Sequence, residues 1–325
     1  MVKAMTSQLP SLARRNAPSD QASDLVHGYP DVNSAWFGFF HPGVKWIGFR
    51  LSEGYPADHD VAADHLDVTM SHEAQHYFAQ ASNLGALLDL TYRDLRGALS
   101  WLWRRTTAVP ERYRSGAKVL IPHVPSETAT EDILATLSWL NDVMVPVEEI
   151  LAVFVSQRAC RPGLRERNET AYLTTYERHY AGFAELYGLF RDVAETRNDL
   201  FARSMVLESL NSPEPKRVLR RILTTARAAR FSTDPSEAEC EALCSQFAGH
   251  GRSGDDDDAR AALMRRLDAL ALRHLHRPYD PAGWRRAVLD GWPRVVRFDD
   301  RMGGYWWLSS KDTKSLLRQS TEEWQ

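Results

Sequence analysis

The residues with the clearest chemical pattern are five in a row, His72-Glu73-Ala74-Gln75-His76. On a helix, side chains four apart leave the same face one turn apart, so the two imidazoles can close on one metal ion. Glu73 stands beside them, placed to take a proton from a water whose pKa a bound metal would bring toward about 7. The pattern fixes only three positions, and composition alone yields it in roughly one chain of this length in fifty. Its setting adds weight. Met70, Phe78, Leu84, Leu87 and Leu88 share one broad apolar side of a helix expected from about Leu66 to Leu90. The plainer alternative is an amphipathic helix whose two histidines bind nothing.

An aromatic hairpin is expected just upstream. Ser34 to Phe40 and Lys45 to Leu51 are β-prone, and His41 to Val44 supplies a Pro-Gly turn. Further helices are expected over Arg93 to Arg105 and over Glu131 to Leu140, the latter behind a capping box of Thr128 and Glu131. Pro146 opens an apolar helix, Val147 to Ala159, and Lys118 to Val124 reads as a short strand. One long helical stretch is expected from Glu169 to Leu210. Shorter helices follow over Lys216 to Arg230 and Ser236 to Phe247, with a possible C-terminal hairpin around Gly303-Gly304. The expected class is α+β, mostly α: a small N-terminal β-hairpin or sheet packed on a zincin-like helical core, with a helical C-terminal region. The expected divisions are a disordered tail at 1–28, a metal-binding catalytic domain at 29–211 and a helical region at 212–325.

Composition narrows the function. The 325 residues carry 40 Lys plus Arg against 43 Asp plus Glu, a net charge of -3 that argues against nucleic acid as the main partner. Hydrophobic residues at 43% exclude a chain disordered throughout. No apolar run approaches the roughly 20 residues of a membrane helix, and no signal-peptide core precedes residue 28. Three cysteines do not make a disulfide framework. The expectation is a cytoplasmic protein of undetermined oligomeric state.

The His72 to His76 motif resembles that of the zincin metallopeptidases, over about residues 34 to 90. The metzincin extension is absent, because position 79 is Ala and position 82 is Ser. Glutamate-type zincins take a third ligand from a later helix, often as Glu-Gly-x-Ala followed by an aromatic. Val147-Glu148-Glu149-Ile150-Leu151-Ala152-Val153-Phe154 is similar, with Ile150 in place of Gly. The resemblance implies zinc held by His72, His76 and Glu149, Glu73 as the base, and a peptide or protein substrate. Glu148 and Glu177 stay open as alternatives to Glu149. The same two acids also suit a helix N-terminus with no metal in view.

His72, Glu73, Gln75, His76 and the stretch Ala86 to Leu90 also resemble the HEXXH-motif domain encoded beside ribosomally made peptides in actinobacteria. That resemblance implies a peptide-modifying enzyme, in which the same cluster could hold Fe2+ for oxidative chemistry. A non-catalytic helical interaction protein is the third class.

Further candidates lie downstream. Tyr176, Glu177, His179 and Tyr180 share one helical stretch, and His179 is the candidate second catalytic residue, donating to an oxyanion or holding a substrate carboxylate. Their plainer role is the polar flank of a packed helix. Cys240, Cys244 and His250 could bind a second zinc, although buried helical thiols explain the cysteines as well. Asp58, His59, Asp60, Asp64 and His65 could surround the metal or belong to a solvated loop. Asp255 to Asp258 could bind a cation, or favour the start of the next helix through its dipole. A di-iron carboxylate bundle would want two Glu-x-x-His motifs, and only Glu73 to His76 fits.

Overall fold

A computed structural model describes residues 36–41, 46–51, 59–106, 127–160, 162–229, 234–291, 293–299 and 304–307. The expected tail at 1–28, the strand at 118–124, residues 42–44 of the hairpin turn and Asp58 lie outside the described residues. The described residues form eleven helices: α1 His59–Ala79, α2 Asn83–Thr106, α3 Glu127–Val143, α4 Val145–Ala159, α5 Pro162–His179, α6 Phe183–Ala194, α7 Asp199–Ser209, α8 Pro215–Ala228, α9 Glu237–Gly249, α10 Gly254–Leu275 and α11 Pro281–Leu289. None is long and apolar enough to cross a membrane.

The fold is all-α, which corrects the α+β expectation. Fold class follows from what builds the core, and here that is helix on helix. The largest apolar cluster takes Leu87 from α2, Phe154 from α4, Phe190 from α6, Phe201 from α7, Ile222 from α8 and Leu267 from α10, all fully buried. Each such side chain contributes about 1.5–3 kcal/mol relative to exposure. The aromatic runs near both ends supply only short backbone ladders, Trp36–His41, Trp46–Leu51, Arg294–Asp299 and Gly304–Trp307. None of their described residues belongs to that cluster. Their β-branched and aromatic composition signals local extension and says nothing of the architecture. The main cluster includes residues on both sides of position 211, from Ala79 to Tyr279.

The long helical stretch expected from Glu169 to Leu210 is three helices. Gly182 takes a left-handed conformation with φ of 77°, which ends one helix and begins the next. Asn198 then caps α7, its side chain accepting from the Phe201 N–H at 3.0 Å. Ser236 and Glu239 form a capping box at the start of α9. Asp256 opens α10, accepts from the Ser253 N–H and pairs with Arg217 and Arg221, so this part of the acidic run is spent on helix structure.

The turn between α1 and α2 is tight. Ser82 Oγ accepts from the Gly85 N–H at 3.1 Å. A Cβ on Gly85 would sit 2.4 Å from Gln80 Cα, so only glycine fits. Distant segments hold the same turn. Leu84 N–H donates to Leu210 O, and Asn83 N–H donates to Asn211 Oδ1. Trp284 Nε1 donates to Gln80 O at 2.8 Å, and Tyr279 donates its hydroxyl to Asn83.

Candidate metal centre

Helix α1 is buried on nearly every side from Val68 onward, as is α4 from Pro146 to Gln157. The two pack together extensively. Ala152, fully buried and small, removes bulk from α4. Polar side chains caught between two such helices must find partners, because burying an unpaired charge costs several kcal/mol. Five of them meet here: His72, Glu73, His76, Glu148 and Glu149, none more than 9% exposed.

Glu149 stands between the histidines. Its Oε2 is 3.3 Å from His72 Nε2, and its Oε1 is 3.6 Å from His76 Nε2. One ligand atom from each of His72, His76 and Glu149 lies within 4.8 Å of the others, and this buried group could hold a metal ion. Ligands about 2.0–2.1 Å from a tetrahedral metal stand about 3.3–3.4 Å apart, and the two spacings here, 3.3 and 3.6 Å, run to the two different oxygens of the one carboxylate. Glu148 points elsewhere. Its Oε2 lies 3.0 Å from His76 Nδ1, the ring nitrogen opposite the one facing Glu149. Adjacent acids on α4 thus face opposite nitrogens of the His76 ring.

The electrostatics call for positive charge. Burial alone would lower the pKa of His76. The charge of Glu149, the hydrogen bond to Glu148 and the charge of Glu73 outweigh it and raise the value to about 10. Burial would raise Glu149, but His76, His72 and the Tyr176 hydroxyl together bring it down to about 2. Glu148 is raised, chiefly by burial. His72 Nδ1 and Glu148 Oε1 are buried without a hydrogen-bond partner among the described residues. A divalent cation would answer the excess of carboxylates, and it would take the place of a proton on His76.

No family model, curated protein or solved structure matches this chain.

The structure brings together His72, Glu73, His76 and Glu149 and sets other candidates apart. Glu177 is exposed and caps α6, its carboxylate accepting from the Gly182 and Ala184 N–H groups at 2.8 and 2.7 Å. His179 is exposed at the end of α5, its ring edge-on to Tyr180. Cys240 and Cys244 are buried free thiols, Cys240 Sγ facing Pro235 O and Asn198 Oδ1, while His250 is exposed and turned to Gln246 O. Among the described residues His72, His76 and Glu149 form the one such metal-ligand group. The backbone of α1 begins at His59, so His59, Asp60, Asp64 and His65 belong to its first turns.

Sequence reasoning missed Tyr172. Its ring stacks on His72 with centroids 5.8 Å apart and planes 18° from parallel. Tyr176 stacks in turn on Tyr172, and Tyr180 on Tyr176. Tyrosines spaced four apart, 172 and 176 on α5 and 180 just past its end, were the available signal.

Proposed function

We propose that this protein is a zinc-dependent hydrolase acting on a peptide or amide bond. The observation that carries the reading is the buried group in which His72, His76 and the Glu149 carboxylate each bring a ligand atom within 4.8 Å of the others, with Glu73 next to a ligand. Three protein ligands leave a coordination position for water or substrate, the pattern of catalytic rather than structural zinc sites. Zinc held there would polarise a water and the scissile carbonyl. Glu73 acts as the base that takes the water's proton and passes it to the leaving amine. Glu148 fixes the His76 ring through Nδ1, so that Nε2 faces the metal. The surrounding burial excludes bulk water and strengthens each of these interactions.

A second reading uses the same residues. Two histidines and one carboxylate also make the facial triad of iron oxygenases, and with Fe2+ the protein would modify a peptide oxidatively. Three free, buried cysteines support a reducing compartment such as the cytoplasm.

Elemental analysis of the purified protein tests both readings. Stoichiometric zinc supports the first and iron the second. His72→Ala and His76→Ala should each abolish stoichiometric metal while leaving helical content largely intact. Unchanged metal in both variants would rule the site out.

A further inference from the structure

The two histidines are held by different means. His76 has a carboxylate on its outer nitrogen, Glu148 at 3.0 Å. His72 has no such bond, because its Nδ1 is buried and bonds to nothing among the described residues. Metal-binding histidines almost always use that second nitrogen to fix the ring. An imidazole lacking the bond keeps a broad, shallow preference about χ2 and points its lone pair poorly.

What lies on the face of His72 is the Tyr172 ring, from a third helix, α5. Tyr172 is itself backed by Tyr176, at 6.2 Å and 6° from parallel. Tyr176 abuts Phe183, at 5.0 Å, where α6 begins. A ring at the head of such a stack cannot turn without disturbing the rings behind it. An imidazole polarised by a metal is also electron-poor, which favours its contact with the electron-rich face of a phenol.

We propose that Tyr172 is a positioning residue for His72, doing by ring stacking what Glu148 does for His76 by a hydrogen bond. The inference rests on the metal-site reading above. It assigns α5 to the site, which then draws on three helices.

The test compares Tyr172→Phe, which keeps the ring, with Tyr172→Leu, which keeps an apolar side chain and loses the plane. Zinc affinity is measured by chelator competition, the absorption spectrum is recorded with Co2+ in place of zinc, and melting of the metal-free protein is followed in parallel. Tyr172→Phe should bind zinc within about twofold of wild type. Tyr172→Leu should bind about tenfold more weakly or worse, the low end of what lost support to a ligand costs, with a shifted Co2+ spectrum. A Leu variant with wild-type affinity and spectrum overturns the proposal. So does a Phe variant as weak as the Leu variant, since the hydroxyl and not the ring would then matter. If the metal-free Leu variant melts well below wild type, Tyr172→Met replaces it under the same criteria. Wild-type protein that takes up no zinc removes this proposal together with the metal site, whereas stoichiometric zinc in wild type and undiminished affinity in Tyr172→Leu removes this proposal alone.

Discussion

His76 Nδ1 lies 3.0 Å from Glu148 Oε2, and this contact decides which nitrogen is left for a metal. With the Nδ1–H donated to the carboxylate, Nε2, which faces Glu149, is the nitrogen on which a metal would replace a proton. Two neighbouring glutamates therefore act on one imidazole from opposite sides. Neither role follows from composition, since both residues are buried acids on the same turn of α4.

Exchanging each acid for its amide separates the two roles. Glu149→Gln should lose stoichiometric metal, because an amide is a far poorer ligand. Glu148→Gln should keep the metal but bind it about 10–100-fold more weakly, as expected for a partner that orients a ligand. Chelator competition on both variants reads the difference. Equal losses would mean that both carboxylates are ligands.

Glu73→Gln separates catalysis from metal binding. Gln is nearly isosteric but cannot accept the proton, so cleavage should fall at least about a hundredfold while metal content and fold persist. The measurement is single-turnover cleavage of a peptide library, with metal checked in parallel. Equal cleavage by two fully metallated proteins would remove Glu73 as the base.

Gly85→Ala tests the packing that ends α1. The added methyl would overlap backbone, 2.4 Å from Gln80 Cα and 2.5 Å from Ala79 O, and backbone cannot swing aside as a flexible side chain does. A loss of about 2–3 kcal/mol is expected in urea unfolding, within the range for forced overpacking. A variant as stable as wild type would show that the turn can open.

Asp94 gives a pH dependence with a definite sign. Burial would raise its pKa, but His274 and Arg273 on α10 outweigh that and lower it. Its carboxylate is 2.8 Å from each partner. A lowered folded pKa means that the stabilisation is present above the unfolded value of about 3.9 and is lost as pH falls through the folded one. Asp94→Asn should therefore be less stable than wild type at neutral pH, and the gap should close as the solution is acidified below about pH 4. A gap independent of pH would assign the effect to shape, not charge.

The parts of the site legible in the sequence were those set by local periodicity. His72 and His76 are one turn apart on any helix, so their meeting needed only α1 to form. Glu149 was reached through a likeness to a known ligand pattern, and it stands between the histidines. Glu148 could not be told from it in advance, because successive helical residues differ by about 100° in direction and only the packing of α4 on α1 fixes which one faces inward. Glu177 looked equivalent in type, but its carboxylate is committed to the start of α6, a commitment that depends on Gly182 breaking the helix. The fold class was misjudged for a related reason. Short aromatic runs announce extended backbone without revealing whether the core will be made from them. The helices that do build it show their apolar faces plainly, as α8 does with Val218, Leu219, Ile222 and Leu223 buried on one side.

The turn that closes α1 is clasped by residues far along the chain, Trp284 on Gln80 and Tyr279 on Asn83. A ligand that binds only the folded form stabilises whatever must be folded for it to bind. Where that clasp is needed to seat His76, metal taken up near residue 76 also protects the segment around residue 284 against unfolding and proteolysis. The extent of that protection would then report how full the site is, from a position more than two hundred residues away.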